Sequence, residues 1–371
     1  MKNSPPSDDV RLVRLPVPSP LLREIDELVR SGLGGYETRV EVMLDALQNH
    51  VLEVKYGAAE GCQRPLLPAT EPEPTGPASA NGGKAAKKSK AAPAVPTAIS
   101  NGERVPPLED LSQTELHLAK HGAVLNEGLA VVKHEPVFGL HNRDYPSIWA
   151  AHALATETEN GPVSWEGFLA NVTAEAWRFA ESIRPLEETL GYKLRALYPT
   201  NFSKPQSAEE GFRAFGVGSI AKRPRDDGKL DASGPLFSWG SIQVTREDEV
   251  LQVGLTSQGY ELLEALNGLS LRWPHEGKQA EAFLAFLRDR APWDWSGFER
   301  LLELVANLPT RVELAQQFKE WRPTWSDAMA NTNAAGFVAR AREWGLLEPK
   351  LIDGHYALTE MGEAQRAGVK T

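Results

Sequence analysis

The chain has 371 residues, of which 41% are hydrophobic and 24% are charged, and its formal net charge is −10. It is too long for one ordinary hydrophobic core, so we expect two or three domains. The single cysteine, Cys62, excludes an intrachain disulfide framework and a cysteine-based zinc site. The sequence shows neither a signal-peptide core nor an apolar run of membrane-spanning length, which predicts a cytoplasmic protein that does not enter a membrane.

The charge is unevenly distributed along the chain. Residues 1–107 carry 13 Lys and Arg against 13 Asp and Glu, whereas residues 108–371 carry 27 against 37 and account for the whole net charge. All ten tryptophans also lie in the second part. Because attraction to nucleic acid needs positive charge, any such contact in residues 108–371 must come from local basic patches.

Residues 8–58 have the pattern of a short strand followed by two helices. Residues 10–17 favour a strand that stops abruptly, because they are rich in Val and Leu and end in prolines. Apolar residues then recur at helical spacing over 21–29, and a glycine-rich turn ends that helix. Thr38 and Glu41 form a capping box that begins a second amphipathic helix.

This small unit cannot bury its apolar surface alone, and its single strand would leave a row of unpaired backbone groups. Two copies that pair their strands antiparallel would solve both problems. The strand at 12–16, the Leu-x-x-Ile-Asp run at 22–26 and the turn into 38–41 resemble the ribbon-helix-helix family of repressors. The resemblance implies a homodimer whose paired ribbon enters the major groove of double-stranded DNA.

The resemblance also implies particular DNA contacts. Leu12 and Arg14 would share the groove face of the strand, where arginine can bind guanine O6 and N7, and Arg11 would reach a backbone phosphate. Backbone amides around Thr38 and Val40, together with the Arg39 side chain, would hold a second phosphate. A dimerisation module that binds no DNA is the alternative.

Residues 59–107 are dominated by Pro, Ala, Gly and Lys and have no sustained apolar period. This composition predicts a disordered linker. Its lysines at 84, 87, 88 and 90 are consistent with a solubilising tether and also with a salt-sensitive contact to DNA phosphates.

Residues 108–371 alternate helical and strand patterns, and we divide them into domains at 108–270 and 271–371. Segments 251–266 and 355–364 each contain a strand that ends in Leu-Thr-x-x-Gly and runs into a helix. This pattern resembles the last wing strand and the following helix of winged-helix domains. The predicted fold is therefore mainly α with small β elements, an α+β class: a ribbon-helix-helix, a disordered linker and tandem winged-helix-like domains.

In the C-terminal domain, helices at 312–321 and 333–344 and a hairpin at 351–356 with an Asp-Gly turn complete the winged-helix order. The second helix would present Asn333 and Arg340 to DNA, with Lys350 beside the wing. Acidic residues share this surface, so DNA contact and protein docking both remain open.

The first winged-helix-like domain contains the most basic stretch of the region, 222–229. Its recognition-type helix and its two wing strands are assigned to 208–221, 236–244 and 250–255. In a loop, Lys222, Arg223 and Arg225 could grip DNA phosphates. A solvated loop, partly neutralised by its own aspartates, is the alternative.

Sequence patterns for an enzyme are weak. His117 and His121 have a metal-binding spacing on a predicted helix, but no glutamate or cysteine completes the site. The glycines at 216–218 lack a Walker lysine and a Rossmann spacing. The polar run 140–146 is consistent with an unrecognised activity or with a capped turn that begins the helix of Trp149. We predict no catalytic residue, no metal and no cofactor.

The predicted function is that of a homodimeric DNA-binding protein, a nucleoid-associated transcriptional regulator that reads DNA with its N-terminal ribbon. The alternative is a DNA-anchored accessory subunit of a DNA-processing or phage-defence complex, in which the acidic C-terminal region docks proteins. An enzyme centred on 117–144 is a third, more distant hypothesis.

Overall fold

A computed structural model describes residues 105–118, 120–132, 142–190, 198–199 and 205–369, together with Leu22, Arg23, Ile25, Asp26 and Arg39. The chain divides into two compact units, residues 1–90 and residues 91–371. The predicted strand at 10–17 and most of the predicted linker lie outside the described residues.

In the first unit, the described residues are helical at two places where helices are predicted. Leu22, Arg23, Ile25 and Asp26 are helical, and so is Arg39. Ile25 is buried while Arg23 is exposed, as expected when one face of an amphipathic helix packs inward.

The second unit is mainly helical. Its helices are α1 (Tyr145–Glu157), α2 (Trp165–Ser182), α3 (Arg184–Leu190), α4 (Pro205–Phe212), α5 (Pro235–Ser238), α6 (Ser257–Ala265), α7 (Gly277–Arg290), α8 (Pro292–Val305), α9 (Arg311–Trp321), α10 (Asp327–Glu343) and α11 (Glu360–Val369). Helix α4 continues into a π-helical turn, and a short 3₁₀ turn precedes the first strand.

Two small three-stranded sheets accompany these helices. Their strands are β1 (Ala130–Val132), β2 (Val163–Ser164), β3 (Ser219–Ile220), β4 (Leu230–Ser233), β5 (Ile242–Glu247) and β6 (Val250–Leu255). One sheet has the order β1-β4-β3, with β1 parallel and β3 antiparallel to β4. The other has the order β2-β6-β5 and is antiparallel throughout.

Side-chain caps set several helix starts. The hydroxyls of Thr256 and Ser326 accept hydrogen bonds from backbone amides in the first turns of α6 and α10. At α9, Thr310 and Glu313 form a complete capping box. Such caps satisfy amides that have no partner within the helix, so they define where each helix begins.

One continuous core fills the second unit. Buried apolar side chains from Leu116 to Tyr356 form a single cluster. Trp239 packs edge-on against Phe283, with ring centroids 5.6 Å apart, across the expected boundary near residue 270. The predicted domains 108–270 and 271–371 therefore share a core, because each buries part of its apolar surface against the other.

The C-terminal elements lie close to their predicted positions. Helix α9 begins at Arg311 and α10 at Asp327, six residues before the predicted start at 333. The expected turn between Ile352 and His355 is present, and Asp353 and Gly354 adopt φ values of 51° and 80°. Asp-Gly suits such a turn because both central residues need positive φ.

Three predictions between residues 108 and 270 are corrected. The helix expected at 208–221 gives way to β3 at Ser219, and the strand expected at 236–244 is partly the helix α5. His117 and His121 do not lie on a helix. The strand expected at 250–255 is confirmed as β6.

The fold class is confirmed at the level of a mainly helical α+β protein. Within the described residues, no helix combines the length and the apolar character needed to cross a membrane.

Candidate functional site

Helix α10 is the helix that the sequence predicts as a DNA reader, and nine of its 17 residues are buried. Asn333 is 1% exposed and its amide donates to the Met329 carbonyl of the same helix, 2.9 Å away. Arg340 is 0% exposed. Both residues are therefore withdrawn as DNA contacts, because their side chains have no access to a ligand on the protein surface.

Arg340 lies at the centre of a buried ionic cluster. Its Nε donates to Asp144 Oδ1 at 2.7 Å, and its Nη1 and Nη2 donate to the two carboxylate oxygens of Asp294 at 2.8 and 2.6 Å. The indoles of Trp344 and Trp239 donate to Asp144 and Asp294, at 2.7 and 2.9 Å. Burial opposes the charge of Arg340, but the two aspartates outweigh it and raise the pKa of the guanidinium, which therefore stays protonated.

Glu343, one turn further along α10, caps the N-terminus of α1. Its carboxylate accepts from the backbone amides of Asp144 and Tyr145, at 2.5 and 3.1 Å. Arg143 Nε lies 3.0 Å and His275 Nε2 3.5 Å from the same carboxylate. Burial alone would raise the pKa of Glu343, but Arg143 and His275 outweigh it and lower that pKa to about 2.

This cluster accounts for the polar run at 140–146 as far as the structure describes it, from residue 142 onward. Asp144 is the N-cap residue of α1, and Pro146 lies in its first turn. The Asp144 side chain makes no capping bond, and the cap comes instead from Glu343. The described part of the run therefore has a structural role, in line with the capped-turn alternative.

The basic stretch at 222–229 is the tip of the hairpin between β3 and β4. Residues 221–228 are all exposed. Lys222 and Arg223 make no hydrogen bond or ion pair with another described residue, whereas Arg225 lies 3.7 Å from Asp227 and 3.9 Å from Asp231. Lys222 and Arg223 are thus free to meet a phosphate, whereas Arg225 is exposed but has two aspartates of its own hairpin nearby.

Lys350, the predicted DNA contact beside the C-terminal turn, is exposed. A more conspicuous feature there is a group of three exposed aliphatic side chains, which we call the wing-tip patch. It consists of Leu308, Val312 and Ile352, which are 56%, 76% and 52% exposed. The turn is held against this region by a hydrogen bond of 3.0 Å from the Tyr356 amide to the Pro309 carbonyl.

In the first unit, Arg39 forms a two-point ion pair with Asp26, and its Nη2 lies 2.6 Å from Asp26 Oδ2. The hydrogen bond and the charge of Asp26 raise the pKa of Arg39. The carboxylate therefore competes for the guanidinium that is predicted to hold a phosphate. The other predicted DNA contacts of this module, Arg11, Leu12, Arg14, Thr38 and Val40, lie outside the described residues.

The predicted histidine pair does not converge on a common point. His117 approaches Glu115 at 3.3 Å, while His121 stacks on Tyr260 and its Nε2 lies 2.8 Å from Glu264. The described residues contain no group of three or more His, Cys, Asp or Glu side chains that could hold a metal ion.

The buried cluster was missed by sequence reasoning, although the sequence contains a signal for it. Arg340 is flanked by Phe337 three residues earlier and by Trp344 four residues later, positions that share one helix face. An arginine within an apolar stripe has to be paired when that stripe is buried.

No family model, curated protein or solved structure matches this chain in the comparisons made.

Proposed function

We propose that this chain is a homodimeric, DNA-anchored accessory subunit, in which residues 8–58 bind double-stranded DNA and the acidic unit 91–371 docks a protein partner. The observation that carries the proposal is the burial of Arg340 between Asp144 and Asp294. It removes from the surface a residue that was predicted to contact DNA from α10, the helix expected to read DNA in the C-terminal part.

The surface chemistry of the acidic unit supports this choice. Residues 108–371 carry 27 Lys and Arg against 37 Asp and Glu, so the unit as a whole repels nucleic acid at long range. Its wing-tip patch exposes three aliphatic side chains, and exposed apolar groups are a feature that protein–protein contacts use. DNA attachment is left to the N-terminal module, whose ribbon-helix-helix resemblance remains a prediction.

The regulator hypothesis is retained as a second candidate on one observation. Lys222 and Arg223 are exposed and lack partners among the described residues, so the β3–β4 tip offers two cations to a DNA backbone. In that case, the acidic unit would add phosphate contacts to those of the N-terminal module.

DNA affinity of full-length variants distinguishes the two candidates. Fluorescence anisotropy with double-stranded DNA is measured for the native chain, for Arg14→Ala, for Lys222→Ala combined with Arg223→Ala, and for the control Lys278→Ala, which removes an exposed cation elsewhere. We expect Arg14→Ala to weaken binding by about tenfold or more, as the loss of a base contact does. The double variant should bind like the control.

The regulator hypothesis would instead be favoured if the double variant lowered the slope of log K against log salt concentration by about one to two. Unchanged affinity of Arg14→Ala on every DNA sequence would remove the groove contact from both candidates.

Protein docking is tested on the wing-tip patch. The native chain, Val312→Asp and the matched control Val250→Asp, an exposed valine on the β5–β6 hairpin, are purified from the native host under identical conditions. We expect one protein to co-purify in stoichiometric amount with the native chain and the control, and to be lost with Val312→Asp. A partner retained equally by all three chains would exclude the patch as its docking site.

A further inference from the structure

A polar cleft of about 380 Å³ opens in the second unit. Its walls come from β1 and the segment before it, from α5 and the start of β5, from the first two turns of α6 and from the C-terminal end of α7. Val132, Phe237 and Ile242 supply its apolar lining. A cleft of this volume lies within the range that small-molecule sites occupy.

Hydrogen bonds between its lining residues hold the walls in place. Asn126 Oδ1 accepts from the backbone amide and the hydroxyl of Ser257, at 2.8 and 2.7 Å. The Gln258 side-chain amide donates to the carbonyls of Trp239 and Arg290, at 2.6 and 3.1 Å. These bonds leave Asn126 Nδ2 as a donor and Gln258 Oε1 as an acceptor without a partner among the described residues, so the cleft offers both hydrogen-bonding roles to a ligand.

Opposite charges meet at the edge of this cleft. Arg290 Nη2 lies 3.0 Å from Glu261 Oε2, and the two side chains are 51% and 50% exposed. An ion pair this exposed contributes little to stability. It can therefore separate at small cost when a ligand offers each side chain a new partner of opposite charge. The ligand must then present an anion to Arg290 and a cation to Glu261 at a short separation.

We propose that this cleft binds a free α-amino acid, whose carboxylate accepts from Arg290 and whose ammonium donates to Glu261. In an α-amino acid, the carboxylate and the ammonium are attached to the same carbon. The two charges are therefore close together, as are the side chains of Arg290 and Glu261. A purely anionic ligand would meet Glu261, and a purely cationic one would meet Arg290, so either would leave a repulsive contact. The amides of Asn126 and Gln258 can bond polar side-chain atoms of the ligand. This inference is independent of DNA binding.

Isothermal titration calorimetry on the full-length chain tests the proposal, with the twenty L-amino acids as probes, each titrated singly. We expect at least one to bind with a dissociation constant of about 1 mM or lower. Two analogues of L-serine each lack one of its charged groups: ethanolamine lacks the carboxylate, and glycerate lacks the ammonium. If L-serine binds, each analogue should bind about tenfold more weakly or worse, since one charge-assisted contact is lost.

Variants assign the binding to the ion pair. Arg290→Ala and Glu261→Gln should each weaken the best-binding amino acid about tenfold, and Arg290→Lys should recover part of the loss because it keeps the charge. Lys278→Ala removes an exposed cation from the same helix outside the cleft and should bind as the native chain does. Far-UV circular dichroism checks that each variant is folded.

The proposal is overturned if no amino acid gives saturable heat, if the single-charge analogues bind as tightly as L-serine, or if both cleft variants bind normally. None of these outcomes changes the DNA affinity measured by anisotropy, so failure of the cleft and failure of the proposed function are distinguishable.

Discussion

Arg340 is surrounded by apolar rings, and its charge persists there because two carboxylates and two indoles complete its environment. Its guanidinium carbon lies 4.7 Å from the ring centroid of Phe298 and 5.5 Å from that of Phe337. Ion pairs in the interior lose hydration that their mutual attraction only partly restores. We therefore expect the cluster to specify the packing of α1, α8 and α10 more than to add net stability.

Removing Arg340 alone should be strongly destabilising. In Arg340→Met, Asp144 and Asp294 remain buried without their cation, which should lower the free energy of unfolding by about 3–5 kcal/mol in urea denaturation. Lys350→Met, an exposed cation, should change it by less than about 0.5 kcal/mol. Adding Asp144→Asn and Asp294→Asn to Arg340→Met should recover part of the loss, and an Arg340→Met chain as stable as the native one would contradict the cluster's role.

His152 should make the protein sensitive to mild acid. Burial, with a smaller effect from the charge of His117, lowers the pKa of His152 to about 4, from an ordinary value of 6.5. The unfolded chain then binds a proton between pH 6.5 and 4 that the folded chain does not, so stability falls as the pH drops through this window. The loss amounts to at most about 3 kcal/mol.

The measurement is the free energy of unfolding of the native chain and of His152→Leu between pH 7 and pH 4. The free energy of unfolding should depend less steeply on pH in the variant than in the native chain, whatever the stability of the variant at pH 7. Parallel pH profiles would exclude His152 as the titrating group.

Helix α1 takes its N-terminal cap from another helix, and this distinguishes it from α9. Glu343 of α10 caps α1 in the interior, whereas Glu313 caps its own helix at the surface. Buried bonds to charged groups are worth more than exposed ones because no water competes for them. The two glutamates therefore form a natural pair for comparison.

Glu343→Gln should lower the free energy of unfolding by about 1.5–3 kcal/mol at pH 7, while Glu313→Gln should have little effect. The contribution of Glu343 is complete above its ordinary pKa of 4.5 and is lost as the pH falls toward its folded value of about 2. The difference between native chain and variant should accordingly shrink in acid, and a difference that stays constant to pH 2 would exclude the charge as its cause.

Local sequence patterns predict the helices and turns of this chain better than they predict the tertiary contacts of those elements. The 3.6-residue period and the Asp-Gly turn locate α9, α10 and the hairpin at 351–356, because these depend on nearby residues. The burial of Arg340 depends on Asp144, 196 residues away in sequence, which no periodicity reports. The apolar run after Pro235 was predicted as a strand although it forms α5, since a short apolar run does not distinguish helix from strand.

At the scale of the whole unit, the continuous core predicts cooperative unfolding of residues 91–371. All ten tryptophans lie within it, so tryptophan fluorescence reports this unit alone. We expect a single fluorescence transition in urea, and the near-UV circular dichroism transition at tryptophan wavelengths should share its midpoint, as happens when a single structure melts as a whole. Two separated fluorescence transitions would instead indicate that the predicted division near residue 270 marks two independently stable parts.

The distance along the chain between the members of the ionic cluster also bears on synthesis. Asp144 and Trp344 are 200 residues apart. A ribosome adds about 5–20 residues per second, so α1 is made roughly 10–40 s before its cap and its cation exist. During that interval Asp144 remains in water, and Tyr145 and Ile148, fully buried in the finished protein, have no complete core to enter. A nascent chain that stops short of Arg340 thus presents the kind of apolar surface that chaperones bind.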